Sequence, residues 1–229
     1  MAVDAPIYPV GLVVKDRRCL VVGGGRVAAR KIDALLACGA AVTVVAPEVH
    51  EALESLGRSG AIAAIDDAPL RVEVRPYRSG EAAGYSLVVA ATGDGDVDGA
   101  VQRDATDAGV WVNVADDGER CSFVLPAVAR DGSVTVAVST AGASPALAGW
   151  LRDRVVDALG PGVGDLAALV AEGRRRVQAR GVSTESVPWT ALLDGPLPEL
   201  VRHGRIDEAR ATLDAFVAAA LDHDRAAET

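Results

Sequence analysis

Residues 18–31 read RCLVVGGGRVAARK. A short apolar run, Cys19 to Val22, ends in three glycines, and a helical pattern starts at once. Strand, glycine turn and helix in that order form the first half of a βαβ unit whose turn can hold a dinucleotide. Gly23 allows the tight turn, and Gly25 lets the backbone approach a pyrophosphate. Gly24 lies between them, and Ala28 stands where a small residue permits close helix–strand packing. The helix start then offers unpaired N–H groups and a partial positive charge to phosphate.

The rest of the chain repeats the alternation. Ala28, Ile32, Leu35 and Leu36 fall on one helical face, and Gly39 suits a helix stop. Buried strands are expected at 41–46 and 86–91, an alternating strand at 71–75, and another strand at 110–114. Helices are expected at 48–56 and 94–108. Strands that alternate with helices imply a parallel sheet. The pattern then changes. Residues 121–125 and 133–139 read as two strands around Arg130-Asp131-Gly132, hence a hairpin. Residues 144–159 read as a helix with Ser144 as its cap, Pro145 at its first turn, and Leu147, Leu151 and Val155 as its stripe. From Asp165 the chain reads helical, with a frayed tail from 222.

This organisation predicts an α/β fold in three pieces. A dinucleotide-binding Rossmann domain with a parallel sheet occupies 1–116. A hairpin-and-helix unit occupies 117–160, and a small helical domain occupies 161–229. The chain has 229 residues, half of them apolar, which is enough for such a core. The formal charge of −9 argues against nucleic-acid or membrane-surface partners, which need a basic face. No apolar run is long enough for a membrane span, and the N-terminus lacks the pattern of a signal peptide. Cys19, Cys38 and Cys121 are too scattered for a disulfide framework or a zinc site, so reducing cytoplasm is expected. His50, His203 and His223 are isolated, and no protein metal site is expected. Of 23 basic residues only Lys15 and Lys31 are lysine.

Four further features bear on chemistry. The acidic residue that usually ends the second strand and takes the ribose is replaced by Ala46-Pro47, with Glu48 next. Either Glu48 or the backbone must then hold the ribose, and no nearby cation invites a 2′-phosphate, so NAD is expected over NADP. Ala91-Thr92-Gly93-Asp94 ends a strand at the ligand edge of the sheet, which makes Thr92 a cofactor contact. Asn113-Val114-Ala115-Asp116-Asp117 ends the last parallel strand, where a carboxylate such as Asp116 can serve as general base beside a nicotinamide. Residues 139–148, STAGASPALA, form a capped helix start suited to an anion. Beyond it, residues 146–180 carry a net charge of +2 in an acidic chain, a local device for a polycarboxylate.

Taken together, YPV (8–10), VVGGGRVAARK (21–31), VTVVAP (42–47), LVVAATGD (87–94), VNVAD (112–116), SFVLPA (122–127) and AVSTAGASPALAGWLR (137–152) resemble the precorrin-2 dehydrogenase / sirohydrochlorin ferrochelatase family, also the N-terminal module of siroheme synthases. The resemblance covers about residues 6–160. It implies NAD-dependent oxidation of precorrin-2 to sirohydrochlorin, Fe²⁺ as a further substrate in members that make siroheme, and a homodimer built by exchange of the hairpin and its helix. It places the catalytic carboxylate on Asp116 and dinucleotide contacts on Arg26, Val27, Pro47 and Glu48. Thr140 falls where some members carry a phosphorylated serine. Asn113, Thr140, Ser144 and Arg152 are the expected substrate contacts. Gly149 departs from the pattern, standing where a basic residue is common. The chain also ends too early for the methyltransferase domain of some relatives. Two other readings stay open: a non-catalytic NAD-sensing regulatory module, and a dehydrogenase for another small substrate. The first has no need of VNVAD or STAGASPALA, and the second lacks a separate domain bearing a His or Lys acid.

Overall fold

The computed structural model describes residues 6–51, 53 and 69–227. Five strands form a parallel sheet: β1 (Arg18–Val22), β2 (Ala41–Ala46), β3 (Leu70–Val74), β4 (Leu87–Ala90) and β5 (Trp111–Val114), in the order β3-β2-β1-β4-β5. Helices α1 (Arg26–Leu36) and α2 (Gly95–Asp107) follow β1 and β4. Strand alternation explains how one sheet feeds two cores. Cys19 and Val21 join Val42, Val44, Leu87 and Val89 against Ala28 and Ile32 of α1. Leu20 and Val22 join Val88, Ala90, Val112 and Val114 against Val101 and Ala105 of α2. Covering both faces is why β1 and β4 read as unbroken apolar runs. Burial also pushes the Cys19 thiol up to about 11. The helix expected over 48–56 lies mostly outside the described residues.

Contacts divide the chain into two compact units, Met1–Leu125 with Ala141–Ser144, and Pro126–Thr140 with Pro145–Thr229. The second unit opens with the hairpin β6 (Ala127–Asp131) and β7 (Val134–Val138), joined by Gly132-Ser133. Its first strand begins six residues later than the sequence suggests. Residues 121–125 are irregular because their polar groups bind β5 locally. The Ser122 hydroxyl accepts from Val112 N–H (2.6 Å) and donates to its carbonyl (3.1 Å), and Cys121 Sγ lies 3.2 Å from Val114 N.

Helix α3 (Pro145–Leu159) starts where expected, but its stripe is not buried. Ala148 is its only buried residue, while Leu147 is 46% and Trp150 55% exposed, and Val155, Val156 and Leu159 are exposed as well. No residue of the hairpin is fully buried either.

Among the described residues, the further helices are α4 (Val163–Gln178), α5 (Trp189–Leu193), α6 (Leu197–Arg202) and α7 (Ile206–Ala227). Leu169, Val177, Leu192, Leu197, Val201, Leu213 and Val217 form their core. Helix α7 continues to Ala227, beyond the expected fraying at 222. Gly173 lets α4 pack closely on α7: a Cβ there would lie 2.8 Å from Leu213 Cδ1. No helix among the described residues is long and apolar enough to cross a membrane.

Candidate active site

The carboxyl ends of the parallel strands open on a cleft of about 870 Å³. It lies where the strand order reverses, between β1 and β4, as ligand sites in open parallel sheets do. The three glycines form its floor by different means. Gly23 has φ +127°, and a Cβ on it would lie 2.2 Å from the Ala91 carbonyl oxygen. A Cβ on Gly24 would lie 2.0 Å from the Glu48 carbonyl oxygen and 3.0 Å from the Ala46 side chain. Both glycines therefore let neighbouring backbone close on the turn. Gly25, the residue capping α1, has nothing within 4 Å of an added Cβ. It is the open cradle at the helix start, and its space fits a pyrophosphate.

Around this floor the cleft is lined by Pro47, Glu48, Val49 and His50 on one side, and by Thr92, Asp94, Asp96 and Val97 on the other. His50 N–H donates to the Gly24 carbonyl at 2.9 Å, fastening the loop after β2 to the turn. Ala46 is 1% exposed against the glycines, so no ribose-binding carboxylate fits there. Glu48 is the exposed acid nearest in sequence. Thr92 faces the cleft through a turn it helps to build. Its hydroxyl donates to buried Asp98 at 2.7 Å and accepts from Asp94 N–H at 3.0 Å, while Asp94 caps α2 through Asp96 and Val97 N–H.

Sequence reasoning missed Pro76, Tyr77 and Ser79, which also line the cleft. Their loop is held by Asp104, which accepts from Tyr77 Oη (2.8 Å) and Gly80 N–H (2.6 Å). Burial first, then this bond to Asp104, holds the Tyr77 hydroxyl above its usual range. The available signal was position: the loop directly follows a parallel strand at its carboxyl end.

Of the expected contacts, the structure brings Gly23, Gly24, Gly25, Pro47, Glu48 and Thr92 to this cleft and leaves the others off its lining. Arg26 is exposed at the start of α1, and Val27 packs against the first core. Asn113 is buried, and its amide donates to the Phe123 carbonyl at 3.1 Å, where it fixes the irregular segment after β5. Asp116 lies in the turn after β5, exposed, with φ +61°, a left-handed conformation uncommon outside glycine. Strained backbone of this kind gathers at functional sites. The adjacent Asp117 points to Arg120, 3.3 Å away. Ser144 immediately precedes α3, and Ala141–Ser144 belong by contacts to the sheet unit. Thr140 and Arg152 belong to the other unit, and Arg152 is paired with its neighbour Asp153 at 2.6 Å.

A parallel sheet in this order, with an open glycine cradle at its switch point, defines a Rossmann-type dinucleotide-binding protein. The chain belongs to the putative NAD(P)-binding family, whose profile matches residues 10–127; the profile for the sirohaem biosynthesis protein central region matches 131–158, and that for the sirohaem synthase dimerisation region matches 162–216. It is 41% identical over 217 residues to the siroheme synthase of Thioalkalivibrio sulfidiphilus and 38% identical over 221 residues to that of Methylococcus capsulatus. These alignments cover 94% and 93% of this chain but 43% and 44% of the relatives, so the chain spans less than half their length. Among solved structures it resembles SirC, precorrin-2 dehydrogenase, with a TM-score of 0.72 and 28% identity, covering 92% of this chain and 98% of that one.

Proposed function

We propose that the protein oxidises precorrin-2 to sirohydrochlorin with NAD⁺ as hydride acceptor. The observation that carries this reading is one sheet edge bearing both an open dinucleotide cradle and an exposed carboxylate, Asp116, in a strained turn. When bound, NAD⁺ supplies the acceptor for a hydride from the substrate. The chain supplies the rest. The N–H groups at the start of α1 hold the pyrophosphate, the Thr92–Asp98 turn fixes the wall beside it, and Asp116 takes the proton that leaves with the hydride and later yields it to water. Asn113 shapes the segment that follows β5, while Ser144, Thr140 and Arg152 are proposed to meet the polycarboxylate. The extended match to SirC supports the reading, and a purely NAD-sensing module would leave the exposed carboxylate in its strained turn without a task. Anaerobic incubation with precorrin-2 and NAD⁺ should give the absorbance of sirohydrochlorin. Failure to form it, with NAD⁺ binding intact, would remove the proposal. Fe²⁺ is proposed as a second substrate, tested by adding it to the same mixture and looking for siroheme. The cytoplasm, where thiols stay reduced, is the proposed compartment.

Two expectations follow for cofactor and assembly. Among the described residues, the cleft lining bears Glu48, Asp94 and Asp96 and neither Arg nor Lys. A 2′-phosphate would meet like charge, so NAD⁺ should bind at least about tenfold more tightly than NADP⁺, or ~1.4 kcal/mol. Titration calorimetry with equal or tighter NADP⁺ binding would contradict this. The exposed apolar face of α3 and the hairpin without a buried residue fit a homodimer in which these elements are covered by a partner. Light scattering should give the dimer mass at micromolar concentration, and a stable monomer would count against the assignment.

A further inference from the structure

Lys31 ends the glycine motif, and none of the chemistry above uses it. It lies half-buried on α1. Its helix neighbours Ala28 and Ile32 enter the first core, and Ala115 and Phe123 pack against that same core. Those two residues flank the stretch that carries Asp116 and Cys121. Packing thus brings Lys31 to the loop after β5, within electrostatic range of both. Yet among the described residues no carboxylate lies within 4 Å of its ammonium, and no hydrogen bond reaches it.

Burial, and then Arg30 beside it, push the Lys31 ammonium below the usual lysine range, while Asp116 and Cys121 pull it back up. Taking an ammonium partly out of water without a direct counter-ion is unfavourable. Such a cation is short of a partner that an arriving anion can supply. The need is mutual, because a polycarboxylate that approaches Asp116 meets a like charge. A cation within electrostatic range of that carboxylate offsets the repulsion.

We propose that Lys31 is a substrate-binding residue whose ammonium receives one carboxylate of a polycarboxylate macrocycle and holds it beside Asp116. The proposal rests on the tetrapyrrole reading given above.

Sirohydrochlorin, the expected product, provides a probe that needs no turnover. Titrated into the full chain and followed by absorbance, it should bind the wild type. Lys31→Met should bind it at least about tenfold more weakly. Lys31→Arg keeps the charge and should recover most of that loss. Lys15→Met, which removes the other lysine from an exposed position, should match the wild type. Lys31→Met should also keep wild-type NAD⁺ affinity and should not lower the thermal midpoint, because it removes an unfavourably buried charge, whereas loss of a structural lysine would lower it. Wild-type sirohydrochlorin affinity in Lys31→Met overturns the inference and leaves the tetrapyrrole reading standing. Parallel loss of NAD⁺ affinity overturns it as well. A wild-type protein that binds no sirohydrochlorin overturns both.

Discussion

Asp116→Asn should lower the rate of sirohydrochlorin formation by about 10²–10⁴-fold, the usual effect of removing a general base. The substitution suits the site. Asn tolerates left-handed backbone as Asp does, so φ +61° carries no new strain. Asp116 is exposed, and no hydrogen bond to its side chain is described, so the exchange removes no packing. NAD⁺ affinity should therefore stay unchanged while turnover falls. Asp117→Asn is the control. Its side chain is turned to Arg120, and the variant should stay within a few-fold of wild type. Single-turnover measurements on both variants decide the matter. A wild-type rate for Asp116→Asn would remove the proposed mechanism while leaving fold and cofactor untouched.

Gly25→Val should weaken NAD⁺ binding at least about a hundredfold, ~2.7 kcal/mol. The three glycines are not equivalent here. A side chain on Gly23 or Gly24 would lie 2.2 or 2.0 Å from a carbonyl oxygen, so those substitutions attack the fold itself. At Gly25 the backbone is extended (φ −84°, ψ −177°) and nothing stands within 4 Å, so valine fits the protein but fills the cradle. The expected result is a folded protein with an unchanged thermal midpoint and no measurable NAD⁺ heat in calorimetry. Wild-type affinity would mean that the pyrophosphate lies elsewhere.

The sheet was legible because its signals are local. Unbroken apolar runs at Cys19–Val22 and Leu87–Ala90, with a glycine turn or a capping Asp94 after each, mark strand, direction and the following helix. What escaped depends on partners distant in sequence. Residues 121–125 have strand-like composition, but Ser122 and Cys121 bind β5 through their side chains and keep the segment irregular. The stripe Leu147-Leu151-Val155 announces an apolar face, and periodicity cannot say that this chain alone leaves it uncovered. Helices α5 and α6 are short and broken by Pro188, Gly195, Pro196 and Pro198, which hide a period. At the site the glycines, Glu48 and Thr92 were readable as the ends of strands. Tyr77 and Ser79 were not, because their place depends on Asp104 from α2.

The division into units has a consequence for how such a chain can change over time. The polypeptide passes between them after Leu125, after Thr140 and again after Ser144. A recombination break at any one of these points strands part of one unit in the other parent. A cofactor-binding half exchanged at residue 125 would arrive without Ala141–Ser144, its own contribution from beyond the hairpin. A chimera made by a single break at any of these points would therefore carry at least one unit assembled from both parents.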